Sequence, residues 1–400
     1  MTIIANHLSA VKASAVSLIT ARANQLEREG KKIIKLSAGE PDFGTPDHVR
    51  MAGIKAIVEG KTQYPLVQGV FELREAICRK LQRDNGLTYT PEEVVVGCGC
   101  KQVLFNAFAA TLNPGDEVIL PTPYFISYPS MVSINRGLPV FVKTRQENRF
   151  KLTPEDLENA ITPRTKWLLI NSPGNPSGCV YNETDFKALA DVLRNHPEVW
   201  ILCDDIYEYL IYDQAAFVTL AQVAPDLRDR ILVVNGLSKA YAMTGWRVGY
   251  GAGPMELIKT MFKIQSQSTS GTASISQWAS VTALDGDHGF VPANVEALRQ
   301  RRDVVVSMIN QVDGLSCEPP GGAFYCYISC KELIGKKTPQ NKVIESDLDL
   351  SNFFMDACGV AVIHGEAFGL SPYIRISFAT NMELLKAGCQ KIADACRQLR

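Results

Sequence analysis

The chain has 400 residues, 46% of them hydrophobic and 21% charged, a balance ordinary for a soluble globular enzyme. Its length exceeds what one core usually organises, so two domains are expected. The formal net charge of −1 excludes the broad basic face that nucleic acid requires, and no nucleic-acid partner is expected.

In chain order, residues 1–20 hold no long apolar stretch, so no signal peptide is expected. The spacing of small and apolar residues predicts a helix over 18–29 that stops at Gly30. A short strand over 33–36 leads into the turn Ser37-Ala38-Gly39-Glu40-Pro41-Asp42-Phe43, where Gly39 permits close backbone approach. Tyr64, in Thr62-Gln63-Tyr64-Pro65, reads on its own as a packed aromatic. A strand over 93–96, the turn Gly97-Cys98-Gly99-Cys100-Lys101-Gln102 and an apolar helix over 103–112 follow. Strand, glycine-rich turn and helix start make an anion site, because free backbone N–H groups point outward there. The next strand, 117–120, runs to Pro121-Thr122-Pro123-Tyr124-Phe125, where Phe125 offers a ring for stacking.

Strand 166–170 enters Asn171-Ser172-Pro173-Gly174-Asn175-Pro176-Ser177-Gly178, and strand 199–203 ends at Asp204-Asp205-Ile206-Tyr207-Glu208. Taken alone, the first is a bare turn and the second solvated loop charge. The β-branched run 230–234 reads as a buried strand. Just past it stands Lys239, amid small and polar residues. A lysine there serves as an amine nucleophile when its surroundings lower its pKa. Ser238 and Arg247 supply the hydroxyl and guanidinium that a phosphate needs; an ordinary surface loop is the plain alternative. Residues 266–271 form a polar, hydroxyl-rich turn, and Asn294 is expected to cap a helix over 295–308. Strands are expected over 325–328, 359–363 and 373–378. In the last of these Arg375 has apolar neighbours on both sides, and its planar fork suits bidentate carboxylate binding.

Eleven cysteines are scattered without a Cys-x-x-Cys pair, and five histidines lie far apart. Reduced thiols, a cytoplasmic location and no structural metal are therefore expected. No apolar run is long enough to span a bilayer, so no membrane partner is expected. Strands alternate with helices through the middle of the chain, which predicts an α/β large domain of three layers with a mostly parallel sheet. The large domain is expected over 49–299, with a smaller α+β domain built from both chain ends, 1–48 and 300–400.

Ser-Lys-x-x-x-Met-Thr-Gly-Trp-Arg-x-Gly, starting at Ser238, resembles the lysine motif of the class I (fold-type I) pyridoxal-phosphate aminotransferases. The resemblance covers nearly the whole chain, and Asn175, Asp204, Tyr207, Lys239, Arg247 and Arg375 match in the family's order. It implies pyridoxal 5′-phosphate on a Lys239 Schiff base, with Asp204 facing the pyridine nitrogen. Asp205 follows where the family usually has glutamate, and a one-residue slip would exchange the two acids. Tyr207 and Asn175 would bond the ring oxygen, and Phe125 would stack on the ring. Arg247, Ser238, Gly99, Cys100 and Lys101 would hold the phosphate, joined by Tyr64 from the partner of a homodimer with shared active sites. Arg375, Gly39 and Asn175 would take the substrate carboxylate.

The stretch Gly99-Cys100-Lys101-Gln102 and the Ala-Met-Thr-Gly-Trp-Arg wording resemble the bacterial type of aspartate aminotransferases. There the lysine at Lys101 meets the distal carboxylate; the alternative is a charged residue opening a helix. The reaction implied is ping-pong exchange of L-aspartate and 2-oxoglutarate for oxaloacetate and L-glutamate. Alternatives are an aminotransferase for aromatic amino acids, prephenate or alanine, or a carbon–sulfur lyase on the same fold. A non-catalytic regulator would need a basic helix-turn-helix segment, and none is expected here. The subgroup often reads Lys-Pro-Ser-x-Thr in the segment expected to close over the substrate; this chain reads Lys12-Ala13-Ser14-Ala15-Val16, without the threonine hydroxyl used with prephenate.

Overall fold

A computed structural model of the chain describes residues 3, 5–11 and 13–400; Lys12, at the head of the expected closing segment, lies outside them. Helix α1 (Ala15–Arg28) is followed by strand β1 (Ile34–Lys35) and helices α2 (Asp47–Val58) and α3 (Phe71–Asn85). Then come β2 (Val94–Cys98), α4 (Cys100–Thr111), β3 (Glu117–Thr122), α5 (Tyr128–Ile134) and β4 (Leu138–Lys143). The chain continues through α6 (Pro154–Ala160), β5 (Thr165–Asn171), α7 (Glu183–Arg194), β6 (Trp200–Asp204), α8 (Leu220–Val223), β7 (Ile231–Gly236) and β8 (Val248–Ala252). Three helices, α9 (Met255–Ser266), α10 (Ser274–Asp285) and α11 (Phe290–Ile309), precede β9 (Tyr325–Ser329) and α12 (Asp347–Cys358). Strands β10 (Val360–Ala361), β11 (Ile363–His364) and β12 (Tyr373–Ser377) and helix α13 (Met382–Cys396) complete the order.

Seven strands form one sheet in the order β2-β8-β7-β6-β5-β3-β4. All neighbours are parallel except at β8, which runs antiparallel to both β2 and β7. The sheet is buried on both faces, so its strands read as continuous apolar runs whose alternate residues serve opposite cores. Leu168, Ile170 and Ile201 pack with Ile77 of α3, Leu189 of α7 and Ala279 of α10. Trp167, Leu169 and Leu202 pack with Phe108 of α4, Met131 of α5 and Met261 of α9. The result is the expected three-layer α/β architecture. A second core joins α11, α12 and α13 to a three-stranded antiparallel sheet, β11-β12-β9, and β1 pairs in parallel with β10.

Several boundaries differ from expectation. Helix α4 starts at Cys100, not 103, because Gly99 takes φ +79 as its N-cap and turns the chain at once. Helix α11 starts at Phe290 after Gly289, so Asn294 is interior and caps nothing. Pro292 sits in its first turn, where a missing N–H costs no helical bond. The run over 359–363 is two strands: Val360–Ala361 pairs with β1, and Ile363–His364 pairs with β12. Strands β4 and β8 were not expected from the sequence. β4 is an exposed edge strand that contains Pro139, and β8 holds Gly249 and Gly251.

Beneath the turn after β6, Lys80 and Glu208 form an ion pair with side chains only 1% and 4% exposed, and Asn85 bonds both. Removing one partner strands a buried charge. Glu208→Leu is therefore expected to lower stability by about 3–5 kcal/mol in urea unfolding. The double change Lys80→Met with Glu208→Leu should recover most of that loss. Equal losses in the single and double variants would contradict the assignment.

Candidate functional site

Strand β7 ends at Gly236, and Lys239 stands three residues on. Its Nζ donates to the Gly39 carbonyl at 2.6 Å, with the rings of Tyr207 and Phe324 at 5.8 and 5.6 Å. Burial pulls the amine down to about 8 from its usual 10.5, and the charges of Arg375 and Arg247 act in the same direction. A larger share of Lys239 is therefore neutral, and nucleophilic, near physiological pH than of a surface lysine.

Next to the lysine a helix start and a guanidinium face each other. Strand β8 runs directly beneath the start of α4: a side-chain carbon on Gly249 would come within 2.2 Å of the Cys100 nitrogen. One on Gly99 would lie 2.4 Å from Arg247 Nη2. Both glycines thus let backbone, helix start and guanidinium close together. Arg247, at φ +57, donates to the carbonyls of Thr244 at 2.9 Å and Cys98 at 3.2 Å. The first N–H groups of α4 have no intrahelical acceptor. Ser238 is buried beside Lys239 in the chain. The Cys100 thiol is pushed well up, chiefly by burial and then by Asp204's charge, so it is no thiolate. Lys101 is exposed, with Nζ 5.3 Å from the Phe125 ring centroid.

Asp204, the last residue of β6, is 4% exposed. Its Oδ2 accepts from the Tyr128 hydroxyl at 2.6 Å, and its Oδ1 from the Ile206 N–H at 3.4 Å. Burial pushes its carboxyl up to about 6, against the pull of Tyr128 and of Lys239's charge. Burial pushes Asp205 well up as well, with the like charges of Glu208 and Asp204 adding to it. The neighbouring acids therefore occupy different surroundings, and only Asp204 is tied to the ring-bearing stretch 125–128. Tyr207 shares a 3.0 Å hydrogen bond with the Tyr325 hydroxyl.

Arg375, in β12, is 2% exposed. Nη1 donates to Asn175 Oδ1 at 3.0 Å and Nη2 to the Ser37 carbonyl at 2.7 Å. Its Nε is unpaired, and the guanidinium lies 4.4 Å from the Tyr325 ring and 5.0 Å from that of Phe368. Asn175 is fixed by its own N–H on Asn171 Oδ1 at 2.8 Å, while Asn171 Nδ2 donates to the Asp204 carbonyl at 2.8 Å. Gly39 lies two residues after Ser37, where an added carbon would sit 3.2 Å from the Tyr325 hydroxyl. Among the described residues neither Arg375 nor Arg247 has a carboxylate partner.

Contacts thus link Gly39, Asn175, Asp204, Tyr207, Lys239 and Arg375 through Ser37, Asn171 and Tyr325, and Phe125 to Asp204 through Tyr128. Tyr64 is 96% exposed and takes no part in this network within one chain. Four connectors were not expected from the sequence: Tyr128, Tyr325, Asn171 and Ser37. Tyr128 carried a signal, since it follows Phe125 at helical spacing in an aromatic stretch. Ser37 acts through its carbonyl, which no side-chain motif reveals.

A family model described as aminotransferase class I and II matches residues 31–392. A probable aspartate/prephenate aminotransferase of Rhizobium leguminosarum bv. phaseoli is 53% identical over 99% of both chains. The solved aspartate aminotransferase of Rhizobium meliloti gives a TM-score of 0.97 at 50% identity, covering 100% of both chains. The Thermus thermophilus aspartate aminotransferase with maleate gives 0.92 at 40% identity, over 99% of this chain and 100% of that one.

Two pH effects follow from the buried charges. Between about 8 and 10.5 the unfolded chain holds a proton on Lys239 that the folded one has lost, so this group's contribution to stability rises with pH. Between 3.8 and about 6 the folded chain holds the extra proton on Asp204, so its contribution falls as pH rises. Lys239→Met is expected to stabilise the cofactor-free protein at neutral pH by roughly 1–3 kcal/mol, with the gain shrinking above pH ~8. Urea unfolding across pH checks this; a gain independent of pH would contradict it.

Proposed function

The chain belongs to the class I and II aminotransferases, and on that premise we propose that it is a pyridoxal-phosphate enzyme exchanging L-aspartate and 2-oxoglutarate for oxaloacetate and L-glutamate. The observation that carries the reading is a desolvated amine, Lys239, beside two guanidinium groups without acidic partners, Arg247 and Arg375. The donor set fits the cofactor: Arg247 and the start of α4 offer an anion site for its phosphate, and buried Asp204 offers a carboxylate for a ring nitrogen. The unpaired Nε of buried Arg375 fits an incoming carboxylate. Bound there, pyridoxal phosphate supplies an electron-withdrawing ring that stabilises negative charge at the substrate's α-carbon.

The chain's residues do the rest. Arg247, Ser238 and the N–H groups at Gly99, Cys100 and Lys101 would hold the phosphate. Asp204 would keep the proton on the ring nitrogen, Tyr207 and Asn175 would bond the ring oxygen, and Phe125 would lie against the ring face. Lys239 Nζ would be the amine that holds the cofactor's aldehyde carbon, and as a free amine it would move a proton at the substrate's α-carbon. Arg375, with the N–H of Gly39 and the side chain of Asn175, orients the α-carboxylate. Lys101, exposed beside Phe125, would meet the distal carboxylate; the aspartate names of the relatives and the dicarboxylate in the Thermus structure support this choice.

A homodimer completes the site with Tyr64 of the other subunit. Support comes from the exposed apolar side chains that flank it in sequence: Met51, Ile54, Ile57 and Val58 of α2, with Leu66 and Phe71. The large domain takes residues 49–299 and the small domain 1–48 and 300–400, with α11 crossing between them. No described helix is long and apolar enough to cross a membrane. The eleven unpaired thiols suit the reducing cytoplasm.

Adding L-aspartate to the reconstituted protein should convert the absorbance of the pyridoxal form to that of pyridoxamine phosphate and release oxaloacetate. An unchanged spectrum with aspartate, alongside conversion by glutamate, an aromatic amino acid or alanine, would sink aspartate as donor. Lys101→Ala should cost about 10–100-fold in kcat/KM for aspartate, and far less for a substrate lacking the distal carboxylate. For the shared site, Tyr64→Ala and Lys239→Ala dimers should each be impaired, and mixed dimers should regain activity. No recovery on mixing would contradict the sharing.

A further inference from the structure

Tyr128 belongs to none of the motifs that led to the site. It opens α5, three residues after Phe125, and is 1% exposed. Its hydroxyl donates to Asp204 Oδ2 at 2.6 Å, and its ring meets Phe125 edge-on with centroids 5.4 Å apart. One side chain therefore touches both the carboxylate and the aromatic assigned to the cofactor ring. Among the described residues the Asp204 carboxylate accepts only one other hydrogen bond, the 3.4 Å contact from Ile206, and forms no ion pair.

A carboxylate so deeply buried tends to retain its proton, and a protonated Asp204 could not hold a protonated ring nitrogen. A short hydrogen bond donated to the ionised form opposes that tendency. The tyrosine is suited to the task because burial and Asp204's charge push its hydroxyl well up, so it stays a donor. Its bond occupies Oδ2 and leaves Oδ1 with the long contact only.

We propose that Tyr128 is a positioning residue that keeps Asp204 ionised, with Oδ1 available to the cofactor's ring nitrogen, and braces Phe125 against the ring. The inference rests on the proposed cofactor. In it the proton stays on the ring nitrogen instead of passing to the carboxylate, and no other group changes state.

The test is titration of cofactor-free protein with pyridoxal phosphate between about pH 5 and 8, in the unaltered chain, Tyr128→Phe, Asp204→Asn and the double variant. Tyr128→Phe is expected to bind about 10–100-fold more weakly. The pH at which binding fails on acidification should also move up by about one unit, because Asp204 protonates earlier. In the Asp204→Asn background the same change should cost little, since the tyrosine acts through the charge. Unchanged affinity and pH limb in Tyr128→Phe, or an equal loss with Asn at 204, would overturn the inference while leaving the cofactor reading intact. An unaltered chain that does not bind pyridoxal phosphate would overturn both.

Circular dichroism checks folding first. If Tyr128→Phe does not fold, the infrared carboxylic-acid band lost between the unaltered chain and Asp204→Asn reports the titration directly. A band gone by neutral pH supports the inference, and one persisting above it overturns it.

Discussion

A guanidinium buried without a carboxylate is the constraint on which the rest of the site depends. Arg375 is 2% exposed, yet its partners are an amide oxygen, a backbone carbonyl and two aromatic faces. Burying an unpaired charge costs several kcal/mol, and neutral hydrogen bonds with cation–π contacts offset only part of that. The structure holds the group only by tying together the turn before α2, the turn after β5 and strand β12. These parts are far apart in sequence, so the same contacts that support Arg375 fix Ser37, Asn175 and Tyr325 around Lys239. The remaining deficit is what an incoming carboxylate would supply in the proposed reaction, which would favour anionic substrates over neutral ones.

The same logic governs the lysine and the aspartate. Burial disfavours the charged form of each, and one short contact works against it: Gly39's carbonyl for Lys239 and Tyr128's hydroxyl for Asp204. Their values, about 8 and about 6, bracket neutrality from opposite directions. A site arranged in this way has an amine that can be neutral and a carboxylate that can be ionised at the same pH. The sheet makes this possible because Asp204 and Lys239 both follow the carboxyl ends of adjacent parallel strands, where such folds leave room for ligands.

Much of this was legible in the chain. The runs that became β5, β6 and β7 are apolar and β-branched because both faces are covered, and the chemistry-bearing residues follow their ends. What escaped did so for identifiable reasons. Strand β8 is rich in glycine because it must pass under the start of α4, and glycine carries no strand signal. Strand β4 is an edge, so its outward residues are exposed and its pattern is weak. The run over 359–363 looked like one strand because its residues are apolar throughout; only pairing partners reveal that it serves two sheets. Ser37 and Gly39 act through backbone carbonyls, invisible to a reading of side chains. Tyr64 stands on the surface, and its proposed role belongs to an assembly that one chain does not contain.

The central claim is that one desolvated amine, at Lys239, carries the cofactor. Reconstitution with pyridoxal phosphate, reduction with borohydride to fix any imine as a stable amine, digestion and mass mapping test it directly. The account predicts a single stoichiometric pyridoxyl label on the peptide containing Lys239. A label on Lys101 or on exposed lysines instead, or no stoichiometric label, would contradict it.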